Sequence, residues 1–354
     1  MNIRLKKLQE KIIAEDVSAI LITSPYNLRY ITGFTGTTGL AVVTSNKSFF
    51  VTDFRYQEQA ADQIKDFQIL QNRGPIFEEV EKIVQAEKID DLGFEQEYLT
   101  FAAFDDLSNT ISCDLTALSG VIESMREVKD EKEIDLIQQA CAITDEAFSH
   151  ILKFITPGMT EIQVANELDF FMRSKGASGV SFETIVASGV RSAMPHGVAS
   201  TKKIASGELV TIDFGCYYQG YVSDMTRTFA LGDPGSQLKE IYQIVLAANQ
   251  AVIENAKAGI NGLELDTIAR KIIGDAGYGE NFGHGLGHGI GLEIHEAPAV
   301  SASQVTPYVA GNIITDEPGI YLPKIGGVRI EDDLLILENG CHVFNHAPKE
   351  LIIL

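Results

Sequence analysis

Features that would point to an exported or membrane protein are scarce in this sequence. Its four cysteines are scattered and form no C-x-x-C pair, a pattern typical of reduced intracellular proteins rather than of a disulfide framework. No apolar run approaches the roughly 20 residues that span a bilayer. The amphipathic opening segment, MNIRLKKLQEKII, contains no apolar core of the kind that an export signal needs. We therefore predict a soluble, cytoplasmic protein.

Positive charge is also in short supply. The chain has 28 lysines and arginines against 49 aspartates and glutamates, a formal net charge of −21. This excess argues against nucleic acid and anionic membranes as partners. The hydrophobic content of 45% and the charged content of 22% are ordinary for a globular protein, and 354 residues suit two domains better than one.

Histidine is absent from the first part of the chain, which shows no catalytic cluster. Helical and strand-like segments alternate there around a predicted loop at residues 24–39, and this alternation indicates an α/β domain. The charged run SMREVKDEKE at residues 124–133 is interpreted as the domain junction. We predict an α/β (α+β) fold with two domains, residues 1–121 and 122–354.

The second domain contains a weak internal repeat. A long helical stretch opens with Lys-Glu-Ile at residues 132–134, and a second one opens with the same three residues at 239–241. Each stretch is followed by a glycine hinge, a second helix and then strand-like sequence. Two half-domains of this kind would place a site between two facing sheets, although ordinary α/β alternation can mimic such a repeat.

Two aspartates lie in a predicted hairpin within LVTIDFGCYYQGYVSDMTRT, residues 209–228. If the hairpin turns about residues 218 and 219, Asp213 lies directly opposite Asp224, with Cβ atoms about 5 Å apart. Two carboxylates that close repel each other unless a proton or a cation lies between them. For these two acids alone, a turn cap and a surface ion pair are the simpler interpretation.

Four further segments carry candidate site residues. They are AMPHGV with His196, FGHGLGHGIGLEIHE with His284, His288 and His295, TDEPGIY with Glu317, and VRIEDD with Glu331. Each has a structural alternative: a loop histidine, glycines that permit tight turns, a strand end, and a solvated turn. The i, i+4 spacing of the first two histidines in the glycine-rich segment is that of a helical zinc pair, but the glycines make a helix there unlikely.

Taken together, these residues indicate a metal site. Two aspartates, two glutamates and one imidazole form a hard, oxygen-rich ligand set, and five ligands, four of them acidic, exceed what one ion usually takes from a protein. The set suits two divalent ions that share carboxylates. The lack of cysteine in the cluster argues against a structural zinc site.

The sequence resembles the Xaa-Pro peptidases of the pita-bread metallopeptidase family, which includes aminopeptidase P and prolidase. IDFG, SDMTRTF, GHGLGHGIGLEIHE, TDEPGIY and VRIED occur in the order and with the separations of that family, and ITSPYNLRYITGFTGTTG and VTDFRY resemble its creatinase-type N-terminal domain. Methionine aminopeptidases resemble this sequence less, because they lack that N-terminal domain. Creatinase also resembles it less, because it lacks the metal ligands. The resemblance implies a pita-bread catalytic domain with two pseudo-repeated halves.

The same resemblance implies roles for the candidate residues. The implied metal ligands are Asp213, Asp224, His288, Glu317 and Glu331, of which Asp224 and Glu331 would bridge two ions. The implied substrate-binding and intermediate-stabilising residues are His196, His284 and His295. Glu317 is also the candidate to shuttle a proton, because a ligand carboxylate beside the attacking water is within reach. Manganese is the expected metal, with cobalt, zinc or iron permitted by the ligands.

The expected activity is removal of the residue before a penultimate proline from small peptides, by a homodimer as in the family. A strict Xaa-Pro dipeptidase is the alternative, and a non-catalytic binding protein is a more distant one. A dipeptidase needs a cation for the carboxylate that follows proline. The loop after His295 contains no basic residue before Lys324, and we expect Arg329 to pair with a carboxylate of the metal site. The sequence therefore favours an aminopeptidase, and the alternative is that Arg29, Arg55 or another cation of the N-terminal domain, from this chain or a second subunit, reaches the site.

Overall fold

The structure is a computed structural model that describes residues 2–354. The chain divides into two compact units, the first ending at Arg126 and the second running from Glu127 to Leu354. The domain boundary predicted after residue 121 stays a prediction. Among the described residues, no helix combines the length and apolar character that a membrane crossing requires.

The first unit is an α/β unit, as predicted. Its elements in chain order are α1 (Ile3–Ala14), β1 (Ala19–Ile22), α2 (Pro25–Thr32), β2 (Leu40–Thr44), β3 (Ser48–Thr52), α3 (Gln57–Gln63), β4 (Gln68–Gln71), α4 (Ile76–Glu87), β5 (Asp91–Glu95), α5 (Phe101–Thr110), β6 (Asp114–Leu118) and α6 (Glu123–Arg126). The strands form one mixed sheet in the order β4-β3-β2-β1-β5-β6. Apolar residues of α4, such as Val80 and Ile83, pack against it.

The prediction of a loop at residues 24–39 is wrong for its first half, which contains helix α2. Ser24 caps the helix by accepting a hydrogen bond from the Asn27 amide, and Pro25 takes the first helical position, where the missing N–H costs nothing. The helix ends at Gly33, which has φ 78°, a left-handed conformation that suits glycine. Proline and glycine therefore mark the two ends of a short helix here.

The second unit contains two helix pairs and their sheets. Its elements are α7 (Glu131–Phe154), α8 (Glu161–Ser174), β7 (Gly179–Val180), β8 (Ile185–Ser188), β9 (Glu208–Phe214), β10 (Cys216–Tyr218), β11 (Tyr221–Val222), β12 (Met225–Leu231), α9 (Ser236–Asn255), α10 (Gly262–Asp275), β13 (Gly287–Gly289), β14 (Glu296–Val300), β15 (Ile313–Asp316), β16 (Gly319–Leu322), β17 (Gly326–Arg329), β18 (Asp332–Leu337) and β19 (Gly340–Val343). Two of its sheets have the orders β12-β9-β8 and β14-β13-β15-β18-β19.

The predicted pair of half-domains is confirmed. Helices α7 and α8 form one apolar core with β8, β9 and β12, and helices α9 and α10 form a second with β15 and β18. Three of these helices begin with a capping box, in which the N-cap side chain and the third helical residue bond each other's backbone N–H groups; the N-caps are Asp130, Thr160 and Asn261. The glycine-rich segment is not helical, as expected.

The predicted register of the aspartate hairpin is wrong. Strands β9 and β12 pair with Asp213 opposite Thr226, and Asp224 lies just before β12. The turn between β10 and β11 is centred on Gln219 and Gly220, which have φ 46° and 86°. Two consecutive positive φ values are the signature of a type I′ turn, and glycine suits the second position. The turn therefore lies one residue later than predicted, which shifts the pairing by two residues.

Candidate metal centre

The second unit contains a cavity of about 420 Å³ that is lined by residues from the β12-β9-β8 sheet and from the β14-β13-β15-β18-β19 sheet. The cavity brings together all the residues that the sequence predicted for the site: His196, Asp213, Asp224, His284, His288, His295, Glu317 and Glu331. Most of the candidate ligands lie at strand ends, where a side chain can point into the cavity while the strand behind it stays paired. Asp224 directly precedes β12, Glu317 directly follows β15, and Glu331 directly precedes β18.

Three of the candidate ligands form a compact group. One potential ligand atom from each of Asp224, His288 and Glu331 lies within 4.8 Å of the other two. The Nε2 atom of His288 is 3.6 Å from Oδ2 of Asp224 and 3.6 Å from Oε1 of Glu317. These separations exceed hydrogen-bond length, so the imidazole and the carboxylates face a common space without bonding one another.

Three candidate ligands, Asp224, Glu317 and Glu331, are buried or half-buried acids without enough positive charge beside them to balance their own. Burial raises the pKa of Asp224 well above its usual range, and the negative charges of Glu331 and Asp213 raise it further. Burial, with repulsion from Glu317 and Asp213, also raises the pKa of Glu331 well above its usual range. Burial raises the pKa of Glu317 to about 8, against the opposing attraction of Arg329. Bringing a cation into the cavity would relieve all three shifts.

The donor atoms fit divalent cations. Oδ1 of Asp213 and Oδ1 of Asp224 are buried and have no hydrogen-bond partner among the described residues, and an unpartnered buried oxygen is costly. Burial lowers the pKa of His288 to about 4, so its imidazole is neutral and can act as a ligand at neutral pH. Its Nδ1 lies 3.1 Å from the carbonyl oxygen of Gly289, which places the proton on Nδ1 and leaves Nε2 facing the acids.

Arg329 supports the acids as predicted. Its Nη2 donates to Oδ2 of Asp213 at 2.6 Å, and its Nε donates to the Thr226 hydroxyl at 3.0 Å. That hydroxyl in turn donates to Oε2 of Glu331 at 2.6 Å. One buried guanidinium therefore orients two of the candidate ligands, one directly and one through a hydroxyl.

Tyr321 is a site residue that the sequence interpretation missed. Its hydroxyl accepts a hydrogen bond from Nη1 of Arg329 at 2.8 Å and lies 2.8 Å from Nε2 of His284. Nδ1 of His284 lies 2.8 Å from the Gly285 carbonyl oxygen, so Nδ1 carries the proton and Nε2 accepts from the tyrosine. Burial lowers the pKa of His284 to about 4, in agreement with a neutral ring. The signal was present in TDEPGIY, but only the pairing of β16 with β17 places Tyr321 beside Arg329.

His295 lies close to the acids on a loop organised by its neighbour Glu296. The ring centroids of His295 and His288 are 4.3 Å apart. The Glu296 carboxylate accepts hydrogen bonds from the amides of Leu292 and Glu293 at 2.7 and 2.9 Å, and it pairs with Nζ of Lys129 at 3.4 Å. Both partners of the ion pair are buried. This contact could not be predicted from local patterns, because the two residues are 167 positions apart in the chain.

Apolar side chains form another part of the cavity wall, which also includes Glu183. Phe182, Ile185, Pro195, Val198 and Ile294 line the same cavity as the acids and histidines. His196 follows Pro195 on the loop after the short 3₁₀ helix Gly189–Ala193. The cavity therefore offers one ligand both the acids and histidines of the candidate metal site, which we call the acidic floor, and a set of apolar side chains, which we call the apolar wall.

Similarity to known proteins agrees with this arrangement. Residues 135–338 match metallopeptidase family M24, and residues 4–128 match the creatinase/prolidase N-terminal domain. The chain is 42% identical to the Xaa-Pro dipeptidase of Pyrococcus horikoshii, over 99% of both chains. Among solved structures, an Xaa-Pro dipeptidase from Bacillus anthracis is 48% identical with a TM-score of 0.98, over 99% of both chains. An X-Pro aminopeptidase from Thermotoga maritima is 38% identical with a TM-score of 0.92, over 98% of this chain and 99% of that one. The chain belongs to metallopeptidase family M24 and carries the pita-bread catalytic domain behind a creatinase-type N-terminal domain.

Proposed function

We propose that this metallopeptidase is an Xaa-Pro exopeptidase that cleaves the bond between an N-terminal residue and a penultimate proline in small peptides. The observation that carries the proposal is the convergence of four carboxylates and a neutral imidazole on one cavity with an apolar wall. A non-catalytic binding protein would not require this complete set of acids, and their mutual repulsion would be a cost without a benefit.

The proposed metal ligands are the five residues that the family resemblance implies: Asp213, Asp224, His288, Glu317 and Glu331. Two divalent ions would be held, with Asp224 and Glu331 shared between them. Carboxylate oxygens with one imidazole suit manganese, and cobalt or zinc can occupy the same donors. Bound ions supply Lewis acidity, which polarises the scissile carbonyl and lowers the pKa of a water molecule.

The residues of the chain would orient the substrate and move protons. The carboxylate of Glu317, whose Oε1 accepts a hydrogen bond from the Thr315 hydroxyl at 3.4 Å, would take up and return the proton. His196 and His295 would donate hydrogen bonds to the developing oxyanion or to the proline side of the substrate. Both ring nitrogens of His284 are bonded within the protein, so His284 would offer the substrate its ring face.

Proline specificity would come from the apolar wall. The bond before proline is a tertiary amide without an N–H group, so a peptidase cannot grip it through that hydrogen. Side chains such as Phe182, Ile185 and Ile294 can instead pack on the pyrrolidine ring. The free N-terminus of a peptide is a cation, and the acidic floor of the cavity suits it.

A strict dipeptidase is the second candidate, because two of the relatives named above are Xaa-Pro dipeptidases. Such an enzyme needs a cation for the carboxylate that directly follows proline. Among the described residues that line the cavity, Arg329 is the one lysine or arginine, and Asp213 and Tyr321 already engage it. This favours the aminopeptidase, which tolerates longer peptides.

Hydrolysis of Ala-Pro and Ala-Pro-Ala tests the proposal, with Mn²⁺ or Co²⁺ added to the metal-stripped protein. We expect both peptides to be cleaved, with kcat/KM values within about tenfold of each other, because no ion pair is lost in the longer peptide. Ala-Ala serves as the control and should be cleaved far more slowly. Cleavage of Ala-Pro with no detectable cleavage of the tripeptide would replace the aminopeptidase with the strict dipeptidase.

The remaining parts of the proposal rest on the sequence: the scattered cysteines support the location, the charged run at residues 124–133 supports the domain boundary, and the family resemblance supports the oligomeric state. We place the enzyme in the cytoplasm as a homodimer, with the boundary between its two domains near residue 121. Light scattering after gel filtration should then give twice the mass of the chain. A monomeric mass would contradict the homodimer without affecting the proposed chemistry.

A further inference from the structure

Behind the ligand-bearing strands lies a second cluster of charged and polar side chains, separate from the residues that line the cavity. Its members bond one another and are buried, except for one lysine that is partly exposed. They are Arg227, Asn249, Asp316, Asp332 and Lys349. We call this group the rear cluster.

Two members of the rear cluster are direct chain neighbours of candidate metal ligands. Asp316 precedes Glu317, Asp332 follows Glu331, and β15 and β18 pair with Asp316 opposite Asp332. Because successive side chains along an extended chain point to opposite faces, the two glutamates reach the cavity while the two aspartates lie behind it. Any shift between Asp316 and Asp332 therefore also moves the two ligands.

One amide joins these two aspartates. Nδ2 of Asn249, on α9, lies 3.0 Å from Oδ2 of Asp316 and 3.0 Å from Oδ2 of Asp332. Oδ1 of the same amide accepts a hydrogen bond from Nζ of Lys349 at 3.2 Å. Nζ of Lys349 also contacts Oδ2 of Asp332 at 2.6 Å. Lys349 therefore fixes both the amide and one of the carboxylates that the amide joins.

The two carboxylates of the rear cluster would repel each other without positive charge beside them. Arg227 supplies one charge, through a 2.8 Å contact between its Nη2 and Oδ1 of Asp332, and it also donates to the backbone carbonyl of Glu331. Lys349 supplies the other charge. Arg227 is fully buried in β12, whereas the side chain of Lys349 is 21% exposed, so Lys349 can be replaced without opening a cavity in the core.

The segment that carries Lys349 is held in place independently of that side chain. The Tyr242 hydroxyl donates to the Lys349 carbonyl at 2.7 Å, and Asp145 accepts from the amides of His346 and Ala347. Further along, Ile353 forms a parallel bridge with Ala230. Loss of the lysine charge should therefore leave the path of the segment intact.

From this geometry we propose that Lys349 is a positioning residue for the metal centre. It acts through Asp332 and Asn249 to fix the ends of β15 and β18, and so the separation of Glu317 and Glu331. The inference rests on the proposed metal-binding role of those two glutamates. The contacts behind a metal ligand typically change metal affinity by about 10–100-fold when they are removed.

The test compares Lys349→Met with Lys349→Arg, using Lys239→Met as a matched control because Lys239 pairs with Asp233 at the surface near the start of α9. Mn²⁺ is titrated into each metal-stripped protein by calorimetry, and thermal unfolding is measured with and without Mn²⁺. We expect Lys349→Met to weaken Mn²⁺ binding by about 10–100-fold and to reduce the rise in Tm that Mn²⁺ produces. Lys349→Arg should restore most of the affinity, and Lys239→Met should match the wild type.

A visible absorption spectrum of the Co²⁺-loaded proteins gives a second readout. It should change for Lys349→Met, because the ligand geometry changes, and stay constant for Lys239→Met. If Lys349→Met lowers Tm equally with and without Mn²⁺ and leaves affinity and spectrum unchanged, the role is merely structural and the inference is overturned. If the wild type binds no Mn²⁺, the proposed function fails and this inference fails with it. Lys349→Gln takes the place of Lys349→Met if the methionine variant does not fold, with the same expectations.

Discussion

Glu331 and Asp332 are adjacent, and both are almost completely buried, but their surroundings differ. The carboxylate of Glu331 receives one hydrogen bond, from the Thr226 hydroxyl, and burial together with repulsion from Glu317 and Asp213 raises its pKa well above the usual range. Burial alone would also raise the pKa of Asp332. The attraction of Arg227 and Lys349 outweighs that effect and lowers the pKa instead.

The difference between these neighbours shows that burial alone does not distinguish a candidate metal ligand from a structural acid. The two carboxylates differ in the charge beside them: Glu331 lies among other acids of the cavity, whereas Arg227 and Lys349 compensate the charge of Asp332. Since side chains alternate along an extended chain, one dipeptide can supply a ligand to the cavity and an anchor to the rear cluster. Glu317 and Asp316 alternate in the same way, but burial and the charge of Asp332 raise the pKa of Asp316 well above its usual range, because the attraction of Lys349 offsets them only in part.

Removing Glu331, the acid whose charge the neighbouring cations do not balance, should have the largest effect on activity. We expect Glu331→Ala to abolish hydrolysis of Ala-Pro and to lower bound metal from about two ions per chain, because a shared ligand is lost. Metal analysis by mass spectrometry and a peptide hydrolysis assay measure the two outcomes. Glu338→Ala, at an exposed position just after β18, is the matched control and should behave as the wild type. Full activity in metal-stripped protein would contradict the reasoning behind both expectations.

Asp332, whose charge Arg227 and Lys349 compensate, should instead contribute most to the free energy of unfolding. In metal-free protein we expect Asp332→Asn to lower the free energy of unfolding by about 3–5 kcal/mol, because Arg227 and Lys349 lose their buried counter-charge. Glu331→Gln should leave the free energy of unfolding unchanged or raise it, since one source of repulsion is removed. Urea unfolding followed by circular dichroism measures both variants. If both variants lost the same free energy of unfolding, the distinction between the compensated Asp332 and the uncompensated Glu331 would be wrong.

A histidine of the cavity should affect catalysis without affecting metal content. We expect His295→Ala to lower kcat by about 10²-fold, the usual size for a lost oxyanion donor, while bound metal stays at the wild-type level. His342→Ala, at an exposed position on β19, is the control. Loss of metal from His295→Ala would mean that this histidine is a ligand, and the division between ligands and catalytic groups would have to be redrawn.

The sequence was most informative where chemistry is concentrated in short segments. The acids and histidines lie in compact segments, and the structure gathers these residues around one cavity. The interpretation failed where local signals were ambiguous, as for the loop that contains α2 and for the turn at Gln219 and Gly220, each of which depends on where glycine takes a positive φ. The alternative of a solvated turn at residues 331–333 is wrong, because all three residues are buried.

The partners of the site residues could not be predicted from the sequence. Lys349 is 17 residues from Asp332, Asn249 is 83 residues from it, and Lys129 is 167 residues from Glu296. Contacts at such separations depend on how the two helix pairs and their sheets are assembled, and no local pattern reports that assembly. The structure therefore adds little to the choice of candidate ligands and nearly all of what is known about how they are held.

The smallest effect on activity is expected at Glu296. Its side chain is buried, and Lys129 compensates its charge, as Arg227 and Lys349 compensate that of Asp332. Its carboxylate also accepts two loop amides beside His295. In Glu296→Gln the amide oxygen can still accept those hydrogen bonds, while the ion pair is lost, so His295 should be displaced only slightly. We expect kcat/KM to fall by about three- to tenfold, roughly 0.7–1.4 kcal/mol, with metal content unchanged.

Lys129→Met should cause a loss of similar size, and the double variant should lose less than the sum of the two, because both single changes break the same contact. Independent losses that add fully would show that the pair does not act as a unit. If Glu296→Gln lost metal, Glu296 would be a contributor to metal binding, like Glu331, rather than a structural acid like Asp332.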